Sequence, residues 1–272
     1  RDAASHLYGK NGERIFKECH VAIVGLGGGG SHIAQQLAHI GVGNFLLIDK
    51  DAFEDSNLNR LVGATHADIE NKTPKTQIAE RLIKGINPHA NIGCVNESWQ
   101  NAAETLRGMD VIFGCVDTFA CRRDIEVAAR RYLIPYVDIG MDVHPEGSCF
   151  RITGQVILSM PGQPCMRCLG FLTDDRLAQE AAGYGVAGGK PQVIWPNGAL
   201  ASSAVGTFVQ LVAPWHNDHR NIVYLEHDGN EQSVRESNRL LYVNDIVCPH
   251  FQVSGDLGDP FWRLNLRNPS VG

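Results

Sequence analysis

The stretch VGLGGGGSHI, Val24–Ile33, decides how the chain begins to fold. It follows the apolar run CHVAI and precedes a helix-like segment, which predicts a strand, a glycine turn and a helix. Gly25, Gly27 and Gly30 satisfy G-x-G-x-x-G, and Asp49 closes the next strand-like run about twenty residues later. Such a turn offers backbone N–H groups to a phosphate. It serves NAD and ATP equally, so the motif alone does not choose between them.

The order of apolar runs predicts the fold class. HVAIVGLG, NFLLID, ANIGCVNES, MDVIFGCVD and YLIPYVDIGM alternate with helix-like SHIAQQLAHIG and PKTQIAERLIKGI. This alternation predicts an α/β, Rossmann-like, mainly parallel sheet with helices on both faces. CFRITGQVILSM and NIVYLEHDGNEQSV predict antiparallel strands in the C-terminal half, with a hairpin signal at Asp228-Gly229. We expect one domain over residues 1–272, divided into a nucleotide-binding half, 1–140, and an extension, 141–272.

Composition narrows the class of partner and the compartment. The chain has 272 residues, 43% of them apolar, and 24 basic against 30 acidic residues give a net charge of −6. This balance argues against a surface that coats nucleic acid. Eight dispersed cysteines favour a reducing cytoplasm. We interpret GALASSAVGTFVQLVAP as a buried helix rather than a membrane segment.

The stretch DKDAFEDSNLNRLVG, residues 49–63, discriminates between the two nucleotides, together with Lys75 and with Asp117 in GCVDTFACRR. In a sheet of this type ligands bind beyond the carboxyl ends of the strands, so these residues and the glycine turn point to one crevice. A dinucleotide reductase has little use for cations aimed at a triphosphate. An adenylating enzyme needs them, with a carboxylate-bound magnesium ion, because its leaving group is pyrophosphate.

The combination of G-L-G-G-x-G-S, D-x-D, S-N-L-x-R, a downstream P-K and a strand ending in C-x-D-T resembles the ubiquitin-activating-enzyme superfamily. The similarity is to its bacterial ThiF/MoeB/HesA-type adenylyltransferases and runs from Arg1 to about His250. Such enzymes activate the C-terminal glycine of a ubiquitin-like β-grasp protein as an acyl-adenylate. The resemblance therefore implies ATP, Mg²⁺, a ubiquitin-like or sulfur-carrier partner, and a homodimer. It also implies a downstream conjugating enzyme or sulfur-transfer protein as recipient of the product.

The resemblance also assigns roles to single residues. Asp49 corresponds to the acid that binds ribose, Asn57 and Arg60 to the pair that contacts the triphosphate, Lys75 to the phosphate lysine, and Asp117 to the magnesium-linked aspartate. Asp51 takes the second acidic position of D-x-D. Arg1 matches an arginine that reaches the ATP site of a neighbouring subunit. The implied nucleotide-binding residues are Gly25, Gly27, Gly28, Gly30, Asp49, Asp51, Asn57, Arg60 and Lys75, and the implied catalytic residues are Arg60, Lys75, Asp117 and Arg1.

Each role has a structural alternative that the sequence leaves open. Arg60 and Lys75 could be solvated charges at helix starts, and Arg1 could belong to a frayed terminus. Asp117 could N-cap the following helix, because Asp is a favoured cap.

Cys165-Met166-Arg167-Cys168 has the knuckle spacing of a tetrahedral zinc site. Relatives with such a knuckle complete it with a second Cys-x-x-Cys near the C-terminus, where this chain reads VNDIVCPHF. Cys248 matches the third ligand, and Phe251 stands where the fourth should be. His250 could substitute and give a structural zinc site, while a three-thiolate site and reduced, empty thiols are the alternatives.

No cysteine lies in LTDDRLAQEAAGYGVAGGKPQVIWPNG, where many relatives carry the thiol that receives the activated protein. Cys121, close to Asp117 at a predicted helix N-terminus, is a candidate acceptor, although a structural role is favoured. The glycine pairs of this segment predict a clamp over the partner's tail. Cys19, Cys94, Cys115 and Cys149 resemble small apolar core residues.

Three other functions compete with adenylation of a β-grasp protein. An NAD-dependent oxidoreductase would account for the glycine motif and Asp49, but no hydride-transfer site accompanies them. A tRNA-modifying relative would keep the fold, but the acidic net charge and the Cys-x-x-Cys oppose it. A scaffold subunit without activity would not need the full set of site residues. NLNRLVGAT lacks the Arg-Gln common in sulfur-carrier enzymes, which favours a conjugation or other specialised system.

Overall fold

The computed structural model describes residues 7–8, 11–183, 192–213, 215, 220–243 and 246–251. Its α-helices are α1 Gly12–Glu18, α2 Gly28–Ile40, α3 His66–Glu70, α4 Lys75–Ile86, α5 Phe119–Arg131, α6 Asp174–Ala181 and α7 Ile194–Val212. Its strands are β1 His20–Val24, β2 Asn44–Ile48, β3 Asn91–Val95, β4 Val111–Gly114, β5 Tyr136–Glu146, β6 Cys149–Ser159, β7 Val223–Asp228 and β8 Ser233–Glu236. Short 3-10 helices occupy Asp55–Asn57, Trp99–Gly108 and Asn238–Tyr242.

The eight strands form one sheet in the order β3-β2-β1-β4-β5-β6-β7-β8. Strands β1 to β5 pair in parallel, and β6, β7 and β8 continue the sheet in antiparallel pairs. The predicted fold class is confirmed, including the hairpin between β7 and β8. Strand β5 crosses residue 140, where the sequence analysis divides the two halves, so both halves share this sheet. The strand order reverses at β1, between β2 and β4, and this reversal opens a crevice at the carboxyl edge.

Helices cover both faces because buried side chains alternate along the central strands. On β1, Val21 and Ile23 join a core with side chains of α1, α2, α4 and α7. Ala22 and Val24 face the opposite core, formed with α5, the 3-10 helix Trp99–Gly108 and the segment around Met166. The sheet is therefore buried on both sides in its parallel part.

The small-residue segment of the sequence forms α7, which packs on the sheet through Leu200, Ala204 and Phe208. Its interpretation as a buried helix is confirmed. Among the helices in the described ranges, none combines the length and the apolar character that crossing a membrane requires.

Candidate functional site

The glycine turn joins the end of β1 to the start of α2. Gly25 has a φ of 90° and donates its N–H to the carbonyl of Ile48 at 2.9 Å. A side chain at Gly30 would overlap the carbonyl of Gly25, so the close approach of turn and helix requires glycine. Helix α2 begins after Gly27, and its first N–H groups have no carbonyl partner within the helix. These donors form an anion-binding end at the carboxyl edge of the sheet.

Two glycines of the turn differ in what surrounds them. Among the described residues, no heavy atom lies within 4 Å of the position that a Cβ on Gly27 would take. A Cβ on Gly28 would lie 2.6 Å from the Nδ2 of Asn197, which is buried on α7. Gly27 therefore faces open space, whereas Gly28 allows α7 to approach α2. The sequence did not single out Asn197, because only the tertiary contact between the two helices identifies it.

Asp49 follows β2 and is held by the backbone. Its Oδ2 accepts from the N–H of Leu26 at 2.7 Å, and its Oδ1 accepts from the N–H of Asp51 at 2.8 Å. Burial raises the pKa of Asp49, and nearby Lys75 opposes that rise. The carboxylate thus lies beside the glycine turn, with lone pairs available to hydroxyl groups such as those of a ribose.

Lys75 is the first residue of α4, and it is not a solvated charge. Its side chain is only 11% exposed, and its Nζ lies 3.0 Å from the Oδ2 of Asp51. The backbone N–H of Lys75 also donates to the carbonyl of Asp51 at 3.1 Å. Asp51 is exposed and holds the lysine from the solvent side, so the D-x-D pair and the lysine form one charged unit.

Asn57 ends the 3-10 helix Asp55–Asn57, and Arg60 follows it three residues later. Asn57 is buried, and Arg60 donates through Nη1 to the carbonyl of Ser56. Burial lowers the pKa of Arg60, and the charge of Asp117 opposes that shift. Arg60 and Asp117 are therefore electrostatic neighbours, although they lie 57 positions apart in the printed sequence.

Asp117 is exposed beyond the end of β4. The alternative in which it caps the next helix is wrong: Thr118 is the N-cap of α5, and its side chain accepts from the N–H of Cys121 at 3.2 Å. Gln192 approaches Asp117, with Nε2 and Oδ1 3.5 Å apart, while the carbonyl of Gln192 accepts from Asn59. Gln192 therefore connects Asp117 to the segment that carries Arg60, a role with no sequence motif.

The structure thus brings the glycine turn, Asp49, Lys75, Arg60 and Asp117 to one edge of the sheet. Backbone donors and two cations suit a polyphosphate, and a solvent-facing carboxylate suits a hydrated magnesium ion. Arg1, predicted to act in a neighbouring subunit, lies outside the described residues. So do residues 184–191, the glycine-rich part of the predicted clamp.

A separate group of four residues lies near the carboxyl end of the described chain. Cys165, Cys168, Cys248 and His250 place their ligand atoms within 4.8 Å of one another. The Sγ of Cys168 lies 3.7 Å from each of the other two sulfurs, and the Nδ1 of His250 lies 3.4 Å and 3.5 Å from the Sγ atoms of Cys165 and Cys168. Tetrahedral zinc with normal bond lengths requires edges of about 3.8 Å between sulfurs and about 3.5 Å between sulfur and nitrogen.

His250 thus lies beside the three cysteines, and the spacings of the group are compatible with zinc. Although burial raises the pKa of Cys248, hydrogen bonds from the backbone N–H groups of His250 and Phe251 bring it below its usual value. Such donors to a thiolate are typical of a metal knuckle. Phe251, at the position of the missing cysteine, packs its ring under the guanidinium of Arg130.

A buried polar network supports the knuckle from α5. Glu126 accepts from the hydroxyl of Ser159 and from the N–H of Met166, between the first two ligands. Arg130 donates to Ser159 and to the carbonyls of Gln163 and Pro164. The sequence did not reveal this network, because helix periodicity alone predicts solvent for Glu and Arg.

Burial opposes formation of a thiolate at two of the remaining cysteines, Cys121 and Cys94. Burial raises the pKa of Cys121 to about 11, and the indole Nε1 of Trp99 donates to its sulfur at 3.1 Å. Burial likewise raises the pKa of Cys94 to about 11. The favoured structural role of Cys121 therefore agrees with its surroundings. The core assignment of Cys149 is wrong, because this residue is exposed at the start of β6.

Comparison with known proteins agrees with this arrangement. The model of the ThiF family matches residues 1–240. The chain belongs to the ThiF family. Similar proteins include one activating enzyme and two adenylyltransferases, and each of them matches about 60% of this chain.

The SAMP-activating enzyme E1 of Haloferax volcanii is 32% identical over 163 residues, 59% of this chain and 57% of that protein. The molybdopterin-synthase adenylyltransferase of Escherichia coli K12 is 34% identical over 166 residues, 60% of this chain and 63% of that protein. The sulfur carrier protein ThiS adenylyltransferase of Bacillus subtilis is 31% identical over 164 residues, 59% of this chain and 46% of that protein. The chain thus matches between 46% and 63% of the length of these relatives.

Solved structures share the fold. MccB of E. coli, in its crystal structure with ATP, superposes with a TM-score of 0.70 at 18% identity and covers 91% of this chain and 71% of MccB. PaaA superposes with a TM-score of 0.66 at 20% identity and covers 86% of this chain and 78% of PaaA. At these identities the likeness establishes the Rossmann-like ThiF fold alone.

Proposed function

We propose that this ThiF-family chain adenylates the C-terminal glycine of a ubiquitin-like protein with ATP. The observation that carries the proposal is the convergence of the glycine turn, Lys75, Arg60 and Asp117 on one crevice. The named activities of the relatives support the same reaction type. A dinucleotide oxidoreductase would have little use for cations aimed at a triphosphate.

In the proposed complex, the glycine turn and the N-terminus of α2 bind phosphate, and Asp49 accepts hydrogen bonds from the ribose. Lys75, Asn57 and Arg60 contact the triphosphate. Lys75 lies close to Asp51, which neutralises it without ATP and leaves it in place for phosphate. Asp117 would hold magnesium, which would supply positive charge where the leaving group develops negative charge.

The reaction needs no general base, because the nucleophile is already a carboxylate. One oxygen of the partner's C-terminal carboxylate attacks the α-phosphorus of ATP, a new C–O–P linkage forms, and the bond from the α-phosphorus to the bridging oxygen breaks. Pyrophosphate leaves with that electron pair. The chain's contribution is to position the two reactants and to stabilise charge on the phosphates through Arg60 and Lys75.

The partner in this proposal is a β-grasp protein of the sulfur-carrier or conjugated type. A homodimer in which Arg1 completes the ATP site of the neighbouring subunit extends the proposal. The surroundings of Cys121 and Cys94 give no support for a thioester on either residue, so we propose that the adenylate passes to a separate protein. That recipient is a conjugating enzyme or a sulfur-transfer protein.

The Cys165, Cys168, Cys248 and His250 group is proposed to bind structural zinc. Its distances fit the ion, and it lies on the knuckle packed against α5 rather than among the nucleotide residues. Such an ion would join the C-terminal segment to the body of the fold and contribute several kcal/mol to stability.

Mass spectrometry of the reaction products tests the activity. The purified chain is mixed with ATP, magnesium and single β-grasp proteins that end in Gly-Gly. The proposal expects an adenylated form of one partner and stoichiometric pyrophosphate, both lost when the terminal glycine is deleted. Hydrolysis of ATP without an adenylated protein, for every partner tried, would contradict it.

A further inference from the structure

Helix α6 follows the metal knuckle and is held to the fold by few contacts. None of the residues of α6 is buried, in contrast to α5 beneath it. Thr173 caps its start by accepting from the N–H of Arg176 at 3.2 Å. Its attachment must therefore come from particular side chains rather than from an apolar face.

Glu180 makes the strongest of these attachments. Its Oε1 accepts from the N–H of Phe119 at 2.8 Å, and its Oε2 accepts from the N–H of Ala120 at 2.9 Å. Thr118 takes the next donor, the N–H of Cys121. The first three N–H groups of α5 are thus bound by side chains. The two bonds to Glu180 are charge-assisted and lie at the positive end of the helix dipole.

The position of Glu180 within its own helix is unfavourable. It lies in the last turn of α6, Asp174–Ala181, where the helix dipole disfavours a negative charge. This unfavourable interaction is offset at the N-terminus of α5, where the helix dipole favours a negative charge. Helix α5 begins with Phe119, two positions after Asp117 in the printed sequence. The charge of Glu180 is thus unfavourable for the dipole of its own helix and favourable for the dipole of α5. This arrangement indicates that the function of Glu180 is at α5.

Arg176 holds α6 on the same side. Its guanidinium lies 5.5 Å from the ring centroid of Phe119 and 5.7 Å from that of Phe171, and its Nη1 donates to the carbonyl of Phe171 at 2.7 Å. The attachments through Glu180 and Arg176 therefore meet at Phe119, the first residue of α5, while Asp174 at the start of α6 pairs with Arg167 of the knuckle at 2.7 Å. The two attachments at Phe119 fix the direction in which the chain enters α5 from Asp117.

We propose that Glu180 is a positioning residue for Asp117. By holding the first turn of α5, it fixes the backbone from which the Asp117 carboxylate projects, and so sets the magnesium affinity of the nucleotide complex. The inference rests on the proposed function, since it concerns the carboxylate assigned to magnesium. It extends that function to a residue 63 positions away in the printed sequence.

The test compares Glu180→Ala and Glu180→Gln with the wild-type chain. Asp175→Asn is the matched control, because it removes an exposed carboxylate from the same helix without touching α5. Two quantities are measured: hydrogen exchange of the Phe119 and Ala120 amides, and the magnesium dependence of ATP binding by calorimetry, with an ATP titration without magnesium as reference.

We expect Glu180→Ala to speed hydrogen exchange at both amides. We also expect it to lower the magnesium affinity of the nucleotide complex about tenfold, which is the usual effect of losing an outer hydrogen-bond partner. ATP binding without magnesium stays unchanged. Glu180→Gln keeps one acceptor oxygen and recovers part of both effects, whereas Asp175→Asn behaves as wild type.

A wild-type magnesium dependence in Glu180→Ala would overturn the inference. The inference would also be overturned if Glu180→Gln lost as much of the magnesium dependence as Glu180→Ala while its Phe119 and Ala120 amides stayed protected from exchange. The charge of Glu180 rather than the geometry it imposes would then be responsible. If the wild-type chain itself binds no ATP with magnesium, the proposed function fails instead, and that result is distinct from a defect seen only in the Glu180 variants.

Discussion

The nucleotide crevice and the cysteine-histidine cluster differ in how complete they are within one chain. In the cluster, the four ligand atoms lie within 4.8 Å of one another, the distances from the Cys168 sulfur to the other three match a metal tetrahedron, and buried Glu126 and Arg130 support the knuckle. In the crevice, Asp117 is exposed, and Lys75 is neutralised by Asp51. The cluster therefore has spacings compatible with a metal ion, while the charged groups of the crevice face the solvent or pair with one another.

This difference agrees with the roles proposed for the two sites. A structural ion remains bound, so its ligands gain from being fixed in advance. A nucleotide must enter and leave, so exposed charges and a loosely packed helix such as α6 are appropriate around it. The comparison predicts that substitutions in the crevice reduce activity and spare the fold, whereas substitutions in the cluster do the reverse.

The largest effect is expected from Asp117→Ala. Loss of the carboxylate assigned to magnesium should lower ATP–pyrophosphate exchange about a thousandfold, because charge stabilisation at the leaving group is lost. The midpoint of thermal unfolding should hardly change, because Asp117 is exposed. Glu70→Ala, which removes another exposed carboxylate, serves as control. Full exchange in Asp117→Ala would remove the magnesium assignment.

Next in size is the effect of Cys248→Ser on stability. We expect the chain to lose one bound zinc, measured by elemental mass spectrometry, and to lose several kcal/mol of unfolding free energy in a urea titration. Cys149→Ser is the matched control, because that thiol is exposed and outside the cluster. ATP affinity should stay close to that of the wild type. An unchanged metal content would exclude Cys248 as a ligand.

A smaller effect is expected from Lys75→Met, which keeps the buried stem and removes the charge. Exchange should fall about a hundredfold, since one fixed cation at the phosphates is lost. Asp51→Asn should reduce exchange less, because it removes the carboxylate that holds the lysine and leaves the charge of the lysine in place. Lys17→Met, on the exposed surface of α1, should have no effect. Equal losses from Asp51→Asn and Lys75→Met would show that the pair acts as a unit.

The smallest effect is expected from Gly27→Ala. Because the position of its Cβ is open, the fold should tolerate the methyl group, while the dissociation constant of ATP should rise about tenfold if phosphate lies there. Gly85→Ala, equally open but inside α4, should leave ATP binding unchanged and add up to about 1 kcal/mol of stability. Unchanged ATP affinity in Gly27→Ala would place the phosphates elsewhere.

Local patterns in the sequence predicted most of the fold, and the resemblance that they carry supplied the residues assigned to the crevice. Strand-like runs, the glycine turn and the knuckle spacing depend on neighbours a few positions apart, and the structure places them as expected. Contacts between distant segments could not be predicted in this way. Glu180 meets α5 across 61 positions, Glu126 meets Met166 across 40, and Asn197 lies against Gly28 on another helix.

The same limit explains the wrong assignments. Asp117 and Thr118 are both good helix caps, and only the backbone geometry shows that Thr118 takes the position. Cys149 lies in an apolar run but at the exposed start of a long hairpin. Neither outcome has a signal in the residue types alone.

The most direct test of the central claim is ATP–pyrophosphate exchange with the purified chain, magnesium and a panel of β-grasp proteins ending in Gly-Gly. Each partner is paired with a form that lacks the terminal glycine. We predict exchange with at least one partner and none with its truncated form. Measurable ATP binding without exchange for any partner would contradict this prediction and would favour a different acyl substrate or a scaffold role.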